Sequence, residues 1–318
     1  MDNELHALTK KKVAVLYHRD ADGFGAAYAC WKALNDSCEL LFGSVQYGEE
    51  PPYDGLKAFG PELIYIVDFS YTSEILLRLE NEFGSVRVID HHKTAEKELS
   101  IFDSYKLGPD SGVFFCADRA GCTLTWDLFF FGEVHPPDIL LYVEDRDLWK
   151  FNMEHSKEIN AYIATLDEDF EIWDNFYTPE AYTCGVAVLK FQAEQIKRRL
   201  RDVVMVRFDQ KMNVFMPEFG GGALRIVPFL NCSDNISEVG NALCAAYPDS
   251  PFSVTYCDRK DGTRSYSLRS NNGFDVSVVA KAFSGGGHPG ASGFSLPSPS
   301  IILRLENEFG SVRLIAAR

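Results

Sequence analysis

The chain has 318 residues, of which 46% are hydrophobic and 24% are charged, and its 31 basic and 46 acidic side chains give a formal net charge of −15. This composition excludes disordered, collagen-like and disulfide-scaffold proteins and is typical of a globular protein large enough for two domains. The acidic balance argues against binding to long duplex nucleic acid, which requires a basic surface that neutralises many phosphates. A small anionic substrate is compatible with it if a few local cations or metal ions receive the substrate.

The sequence contains no feature typical of secretion or of a membrane span. Residues 1–12 are polar and run directly into a strand-like segment, unlike the apolar core of a secretory signal. No apolar run approaches the roughly 18 to 20 residues that a membrane span requires. The eight cysteines are scattered without metal-site or disulfide spacing, so we expect free thiols, a cytoplasmic location and no membrane partner.

The first half of the chain alternates strand-like and helix-like segments. Strands are predicted over residues 12–17, 63–68 and 85–90, and helices over residues 23–34 and 72–83. This order predicts an α/β fold with a doubly wound, mostly parallel sheet. In such sheets functional groups collect at the carboxyl ends of the strands.

The second half begins with helix-rich segments at residues 120–131 and 139–149 and continues into a long predicted helix over residues 185–202 that ends in basic residues. Strand periodicity returns from Val203, with a predicted hairpin around residues 260–262. A smaller α+β domain is therefore expected after a helical connector. The predicted regions are a catalytic domain over 1–155, the connector over 156–202, a substrate-binding domain over 203–298 and a tail over 299–318.

A 15-residue segment occurs twice. Residues 75–89 recur as residues 301–315 with two differences, Leu76 against Ile302 and Val88 against Leu314. The match is far shorter than the unit of a repeat protein. The first copy continues into Asp90-His91-His92 and the second into Ala316-Ala317-Arg318. We expect the second copy to repeat the helix and strand pattern without the chemistry.

His18, Asp20 and Asp22 lie between a predicted strand and a predicted helix, in the run His-Arg-Asp-Ala-Asp-Gly. Alternate residues of an extended segment point the same way, so the three side chains can converge. Imidazole beside carboxylates suits a divalent ion such as Mn, Mg or Fe, whereas a structural zinc site favours thiolates.

Further ligands of the same type follow the next two predicted strands, namely Asp68 and then Asp90, His91 and His92. A lone aspartate after a strand more often caps a helix than binds a metal. The combination with histidines at successive strand ends favours a metal site. Asp145, after an apolar run, is a candidate to complete it.

These motifs resemble, in order and spacing, those of the DHH phosphoesterases over about residues 13 to 150. The runs Ser267-Leu268-Arg269-Ser270 and Gly285-Gly286-Gly287-His288 resemble the substrate-binding signature of the DHH-associated carboxyl-terminal domain. The resemblance implies two divalent ions, Mn in the first place with Mg as the other option, held by His18, Asp20, Asp22, Asp68, His91 and Asp145. Asp68 would bridge the ions, and Asp90 and His92 would orient ligands or contact phosphate.

The fourth motif leaves a choice between Asp145 and Asp147. We favour Asp145 because Trp149, four positions later, fits the family pattern better. In the second domain, the resemblance assigns substrate binding to Arg269, Ser270, Gly285, Gly286, Gly287 and His288. The glycine run would offer backbone N–H groups to a phosphate, with Arg269 as a clamp.

The expected function is hydrolysis of very short oligonucleotides to mononucleotides, as in the nano-RNases of this family. A pAp phosphatase or a cyclic mono- or dinucleotide phosphodiesterase is the alternative, and a nucleotide-binding module without activity is a third hypothesis. The basic run at residues 197–201 is expected to be a solvated helix face. Trp126, Trp149, Trp173 and Phe129 to Phe131 are expected in the core, and a homodimer is one option for the oligomeric state.

Overall fold

The computed structural model describes residues 10–46, 48–99, 111–209, 214–215, 224–297, 301–306 and 311–316. Residues 1–9, residue 298 and parts of the predicted tail (299–300, 307–310 and 317–318) lie outside the described residues. The chain divides into two compact units, Met1–Leu189 (unit 1) and Lys190–Arg318 (unit 2). Among the helices of the described ranges, none combines the length and the hydropathy that crossing a bilayer requires.

Unit 1 begins with strands that alternate with helices, as the sequence predicts. The elements are β1 Lys11–His18, α1 Ala21–Leu34, β2 Cys38–Val45, α2 Tyr53–Phe59, β3 Leu63–Val67, α3 Ser73–Phe83, β4 Ser85–Asp90, α4 Lys93–Leu99 and β5 Gly112–Phe115. The five strands form one parallel sheet in the order β2-β1-β3-β4-β5. The predicted parallel α/β architecture is confirmed.

Both faces of this sheet are covered. Along β3, Leu63, Tyr65 and Val67 are buried in one hydrophobic cluster with residues of α1 and the later helices. The alternate residues Ile64 and Ile66 are buried in a second cluster with residues of α2 and α3. Since successive side chains of a strand point to opposite faces, the sheet is doubly wound.

Strand β2 and helix α2 carry weak sequence signals and were not predicted. β2 is an edge strand whose side chains are mostly half-buried, so its pattern is neither a continuous apolar run nor a clean alternation. Helix α2 has seven residues and one buried side chain, Leu56. Both elements depend on packing against their neighbours rather than on local preference.

Helices complete unit 1: α5 Gly121–Phe130, α6 Asp138–Asp147, α7 Ser156–Ile163, α8 Phe170–Asp174 and α9 Thr178–Arg199, which ends in unit 2. The predicted long helix therefore exists but begins seven residues earlier. Trp126 and Trp173 are buried as expected, each 4% exposed. The core prediction is wrong for Trp149, which is 44% exposed, and for Phe131, which is 84% exposed.

Unit 2 contains a mixed sheet of seven strands in the order β11-β12-β10-β9-β8-β6-β7. The elements are β6 Val204–Asp209, β7 Val214–Phe215, β8 Leu224–Asn231, α10 Ile236–Ala246, β9 Phe252–Asp258, β10 Thr263–Ser270, α11 Val276–Ala282, β11 Gly286–Gly287 and β12 Ala291–Pro297. Strands β9 and β10 pair antiparallel across the predicted turn. The predicted α+β character of this region is confirmed.

The second copy of the repeated segment does not fold like the first. Residues 75–89 contribute α3 and β4, whereas the second copy forms two antiparallel strands, β13 Ile301–Glu306 and β14 Ser311–Ala316. The expectation that it repeats the helix and strand pattern is therefore wrong. The duplicated sequence adopts a different structure in each place.

Candidate active site

The carboxyl ends of three neighbouring strands bring the candidate ligands together. His18 is the last residue of β1, Asp68 follows β3, and Asp90 is the last residue of β4. Strand β2 lies on one side of β1 and strand β3 on the other, so the chain changes direction across the sheet between β1 and β3. Ligand sites of open parallel sheets form at such points.

Asp68 lies at the centre of this cluster. Its Oδ1 is 3.1 Å from His91 Nε2 and its Oδ2 is 3.6 Å from His18 Nδ1. The side chain is 1% exposed, and neither carboxylate oxygen accepts a hydrogen bond from the described residues. The residue also has a left-handed backbone, with φ of 60°, which costs free energy and is common at functional sites.

Asp22 is held by the beginning of helix α5. Its carboxylate accepts hydrogen bonds from the N–H groups of Gly121 (2.7 Å) and Cys122 (2.8 Å) and lies 3.4 Å from His91 Nε2. Gly121 has a second role, because a Cβ there would lie 2.6 Å from the Asp68 carboxylate. The start of α5 therefore positions Asp22 and leaves room for Asp68.

Asp20 joins the cluster from the other side. Its Oδ2 lies 2.8 Å from His18 Nδ1, and its Oδ1 accepts a hydrogen bond from the N–H of Gly23 as the cap of helix α1. The aspartate therefore acts both as a helix cap and as a neighbour of the candidate ligands. From the sequence, these two roles are alternatives.

Asp90 organises the two histidines that follow it. Its Oδ1 accepts hydrogen bonds from the backbone N–H groups of His91 (2.7 Å) and His92 (3.1 Å), and His92 Nδ1 lies 2.8 Å from the same oxygen. The Asp90 carboxylate is fully buried. It therefore fixes the orientation of the His92 ring.

The cluster holds several carboxylates close together and shields them from water, and both effects raise the pKa of a carboxyl group. Burial, together with the neighbouring Asp68, raises the pKa of Asp22 to about 8. Shielding from water and the Asp22 charge raise the pKa of Asp147 to about 7. Burial would lower the pKa of His91, but Asp68 and Asp22 outweigh it and raise that pKa to about 10. The site is short of positive charge.

Three groups of these side chains lie close enough together to hold a metal ion. They are His18 with Asp20 and Asp68, Asp22 with Asp68 and His91, and Asp68 with Asp90 and His92. Within each group the donor atoms lie within 4.8 Å of one another, and Asp68 belongs to all three. The orphaned oxygens of Asp68 and the mixed imidazole and carboxylate donors fit divalent ions.

In unit 2, Arg269 is held close to helix α10. Its Nη2 donates a 2.5 Å hydrogen bond to Ser237 Oγ, and a Cβ at Gly240 would lie 2.7 Å from Arg269 Cγ. Arg269 pairs with Ala291 across β10 and β12. Because Ala291 comes three residues after His288, Arg269 and His288 belong to the same end of this sheet. Ser270, the last residue of β10, donates its N–H to Gly290 O.

The glycine run does not offer all its N–H groups to a ligand, contrary to the expectation from the sequence. Gly285 N–H donates to Ala280 O at 2.8 Å, and a Cβ at Gly285 would lie 2.1 Å from Gly293 O. Gly286 and Gly287 form strand β11 against β12, and Gly287 has φ of 129°. For Gly285 the phosphate-binding prediction is wrong, because close backbone packing explains the glycine.

Comparison with known sequences identifies the family. The model of the DHH family, N-terminal domain, matches residues 12–146, and the model of the DHHA1 domain matches residues 233–309. The chain belongs to the DHH family. Its DHH motif residues are the ones that meet at the strand ends of unit 1, and Arg269 and His288 lie within the DHHA1 match.

Two curated relatives share most of this DHH chain. It is 30% identical over 298 residues to the protein R106 of Acanthamoeba polyphaga mimivirus, covering 88% of this chain and 66% of that protein. It is 26% identical over 312 residues to oligoribonuclease NrnB of Bacillus subtilis (strain 168), covering 88% and 71% respectively. The chain thus spans about two thirds of the length of these relatives.

A weaker likeness exists among solved structures. RecJ in complex with Mn²⁺ from Thermus thermophilus aligns with a TM-score of 0.49 and 14% identity, over 90% of this chain and 49% of that chain. The DHH assignment depends on the sequence matches alone.

The geometry of the fourth DHH motif corrects the choice of Asp145. Both of its carboxylate oxygens accept backbone hydrogen bonds, from Asn152 N at 2.9 Å and Met153 N at 3.1 Å. Asp147, with 31% of its side chain exposed, places Oδ2 3.7 Å from His91 Nε2. The structure therefore brings Asp147 to the cluster and gives Asp145 the role of holding the following turn.

Sequence reasoning missed the groups that hold the DHH ligands in place. Glu144 accepts hydrogen bonds from Arg119 Nε (2.7 Å), the Ala120 N–H (3.3 Å) and Thr123 Oγ1. These contacts anchor the start of α5, whose N–H groups hold Asp22. The one signal available in the sequence was Gly121 at a predicted helix start, which alone is too common to interpret.

Proposed function

We propose that this protein is a metal-dependent phosphodiesterase that hydrolyses short oligonucleotides to nucleoside monophosphates. Members of the DHH family are phosphoesterases, and the similarity to oligoribonuclease NrnB extends over 88% of this chain. The net charge of −15 favours short substrates over long duplexes, because binding to a long duplex relies on a basic surface that neutralises many phosphates.

The observation that carries the proposal is the sharing of Asp68 by three groups of candidate ligands. A buried carboxylate with two orphaned oxygens, surrounded by His18, Asp20, Asp22 and His91, is suited to bridge two ions. Asp147 would complete the set. Two divalent ions held there would activate a water and stabilise the charge that grows on phosphorus. Imidazole beside carboxylate favours Mn²⁺ over Mg²⁺.

Other residues of the chain would orient the candidate ligands and the substrate and would exchange protons with the substrate. The Asp90 carboxylate, which is hydrogen-bonded to His92 Nδ1, keeps that ring in one orientation and one tautomer, so that proton exchange with substrate involves Nε2. The N–H groups of Gly121 and Cys122 hold the Asp22 carboxylate. Arg269 and His288 would contact a substrate phosphate, with Ser237 fixing the Arg269 guanidinium.

The test is hydrolysis by the purified chain of a panel of substrates with Mn²⁺ and with Mg²⁺. The panel contains di- to pentanucleotides, pAp, and cyclic mono- and dinucleotides. We expect release of mononucleotides from the short oligonucleotides, loss of this activity with a chelator, and recovery on adding Mn²⁺. Fast turnover of pAp or of a cyclic nucleotide, with oligonucleotides inert, would replace the proposed substrate class.

Asp68→Asn is the variant that tests the metal assignment. Asparagine is tolerated in the left-handed backbone conformation, so the local fold should persist while the bridging charge is lost. We expect hydrolysis to fall at least ~1000-fold, since removing a bridging carboxylate removes both ions, and Mn²⁺ binding to fall in parallel. Glu39→Gln, on the edge strand β2, is the matched control and should leave both unchanged. Retained hydrolysis in Asp68→Asn would overturn the assignment.

A further inference from the structure

The turn after helix α6 presents an exposed aromatic ring, that of Trp149, two residues after Asp147. Trp149 is 44% exposed, whereas Trp126 and Trp173 are each 4% exposed in the core of the same unit. Its ring packs edge to face against Phe151, with centroids 4.8 Å apart and planes at 81°. Phe151 is in turn covered by Lys157, whose Nζ is 5.5 Å from the ring centre. The tryptophan is therefore oriented by its neighbour and still accessible.

The backbone of this turn is strained. Trp149 and Phe151 have φ of 54° and 48°, a left-handed conformation that bulky side chains rarely adopt. Such strain persists only where surrounding contacts impose it, and it is concentrated at functional sites. A glycine at either position would avoid the cost. The chain instead keeps two aromatic side chains there.

Asp145 supplies the contacts that impose the turn. Its carbonyl oxygen accepts from Lys150 N at 2.8 Å and Phe151 N at 3.2 Å. Its carboxylate accepts from Asn152 N and Met153 N. Four backbone hydrogen bonds to one buried residue make the turn rigid, so the position of Trp149 is fixed relative to α6.

That position is close to the candidate ligands. Asp147 Oδ2 is 3.7 Å from His91 Nε2, and Trp149 follows two residues later. Because consecutive Cα atoms are about 3.8 Å apart, the two Cα atoms are separated by at most about 7.6 Å. A substrate whose phosphate lies at the cluster would therefore place an adjoining nucleoside near residue 149.

We propose that Trp149 is a stacking platform for the nucleobase next to the phosphate that is cleaved. The inference rests on the proposed function and deepens it by naming how the base is recognised. Aromatic stacking accepts any base, because every base has a π-face. Phe151 orients the ring, and the hydrogen bonds of Asp145 maintain the turn. The mechanism does not use Trp149 for chemistry, so its effect is on substrate affinity.

The experiment compares Trp149→Ala with wild type on a dinucleotide and on the same dinucleotide lacking the base beside the cleaved phosphate. We expect KM for the intact dinucleotide to rise about tenfold, with kcat within about twofold, as loss of one base stack implies. KM for the abasic analogue should be the same in both proteins. Trp149→Phe should recover most of the affinity.

Phe131→Ala is the matched control. Phe131 is also an exposed aromatic residue with a left-handed backbone conformation, with φ of 52°. Phe131 follows helix α5, whose first residue, Gly121, lies at the site. Because the ten residues of α5 span about 15 Å, Phe131 lies at the end of the helix that is far from the site. Its removal should change neither KM. An equal rise of KM for both substrates in Trp149→Ala, or no rise for either, would overturn the stacking role.

Equilibrium binding separates this inference from the proposed function. Wild type should bind AMP more tightly than ribose 5-phosphate in the presence of Mn²⁺, and Trp149→Ala should lose that preference. This result would support stacking even if oligonucleotides proved inert and the proposed function failed. Equal binding of AMP and ribose 5-phosphate by wild type would overturn stacking alone. Trp149→Asn, which suits a left-handed backbone, replaces Trp149→Ala if that variant folds poorly.

Discussion

Residues 75–89 and 301–315 are nearly the same sequence in two different structures. The first copy forms most of helix α3 and strand β4, and the second forms the strands β13 and β14 that pair with each other. In the first copy Leu76 and Leu79 of helix α3 are buried in one cluster with Val86 and Val88 of strand β4, which belongs to the sheet of unit 1. A helix of this length is marginal by itself. The parallel sheet, and not the segment, therefore selects the helix.

The residues after the two copies also differ. The first copy leads into Asp90-His91-His92 at a strand end shared with His18 and Asp68, and the second leads into Ala316-Ala317-Arg318. Both therefore carry the same scaffold sequence, but only the first is attached to ligands. Structure and chemistry can be tested separately by making each copy resemble the other.

The largest effect on hydrolysis is expected when the three residues that follow the first copy are replaced by the three that follow the second copy. Asp90→Ala, His91→Ala and His92→Arg together should lower hydrolysis at least ~1000-fold and abolish Mn²⁺ binding, because the cluster loses a ligand and the group that orients it. The measurement is steady-state kinetics with metal titration. The reciprocal control, Ala316→Asp with Ala317→His and Arg318→His, should leave both unchanged. A gain of metal binding in the control would show that the second copy can form a site.

A large effect on stability is expected at Leu79, which is fully buried in the first copy. Leu79→Ala should lower the free energy of unfolding by about 3 kcal/mol, since it removes core contacts and leaves a cavity. The matched variant Leu305→Ala should cost less than about 1 kcal/mol, because a two-stranded sheet contributes little stability. Denaturant unfolding measures both. Equal costs would mean that the hairpin contributes as much as the sheet.

A smaller effect is expected from making the two copies identical. Leu76→Ile with Val88→Leu gives the first copy the sequence of the second and should cost about 2 kcal/mol, mainly because Val88→Leu adds a methylene to a packed core. Mn²⁺ binding should persist, since β4 still delivers Asp90. Loss of the metal site in a folded protein would instead show that these two side chains select the helix and strand.

The smallest effect is expected from the isolated segments. Peptides of residues 75–89 and 301–315 should both be largely unfolded in water, with far-ultraviolet circular dichroism spectra that agree within error. A helical first peptide beside a β-rich second peptide would locate the choice of structure in the segment itself.

Some residues of the candidate site could be predicted from the sequence and others could not. His18, Asp68 and Asp90 were predictable because each ends or follows an apolar run, and parallel strands bring such ends to one edge. The choice between Asp145 and Asp147 was not predictable, because both lie at the end of helix α6. The structure separates them, because Asn152 and Met153 donate hydrogen bonds to Asp145 and Asp147 Oδ2 lies 3.7 Å from His91 Nε2.

The sequence by itself determined the alternation of strands and helices, the family motifs and the excess of negative charge, because each is a local or additive property of the residues. The tertiary structure decided that Trp149 and Phe131 meet solvent, that the start of α5 holds Asp22, and that one repeated segment has two structures. Each of these depends on contacts between residues far apart in the chain. The local conformational preference of a segment does not decide its structure when burial against residues that are distant in sequence contributes more free energy.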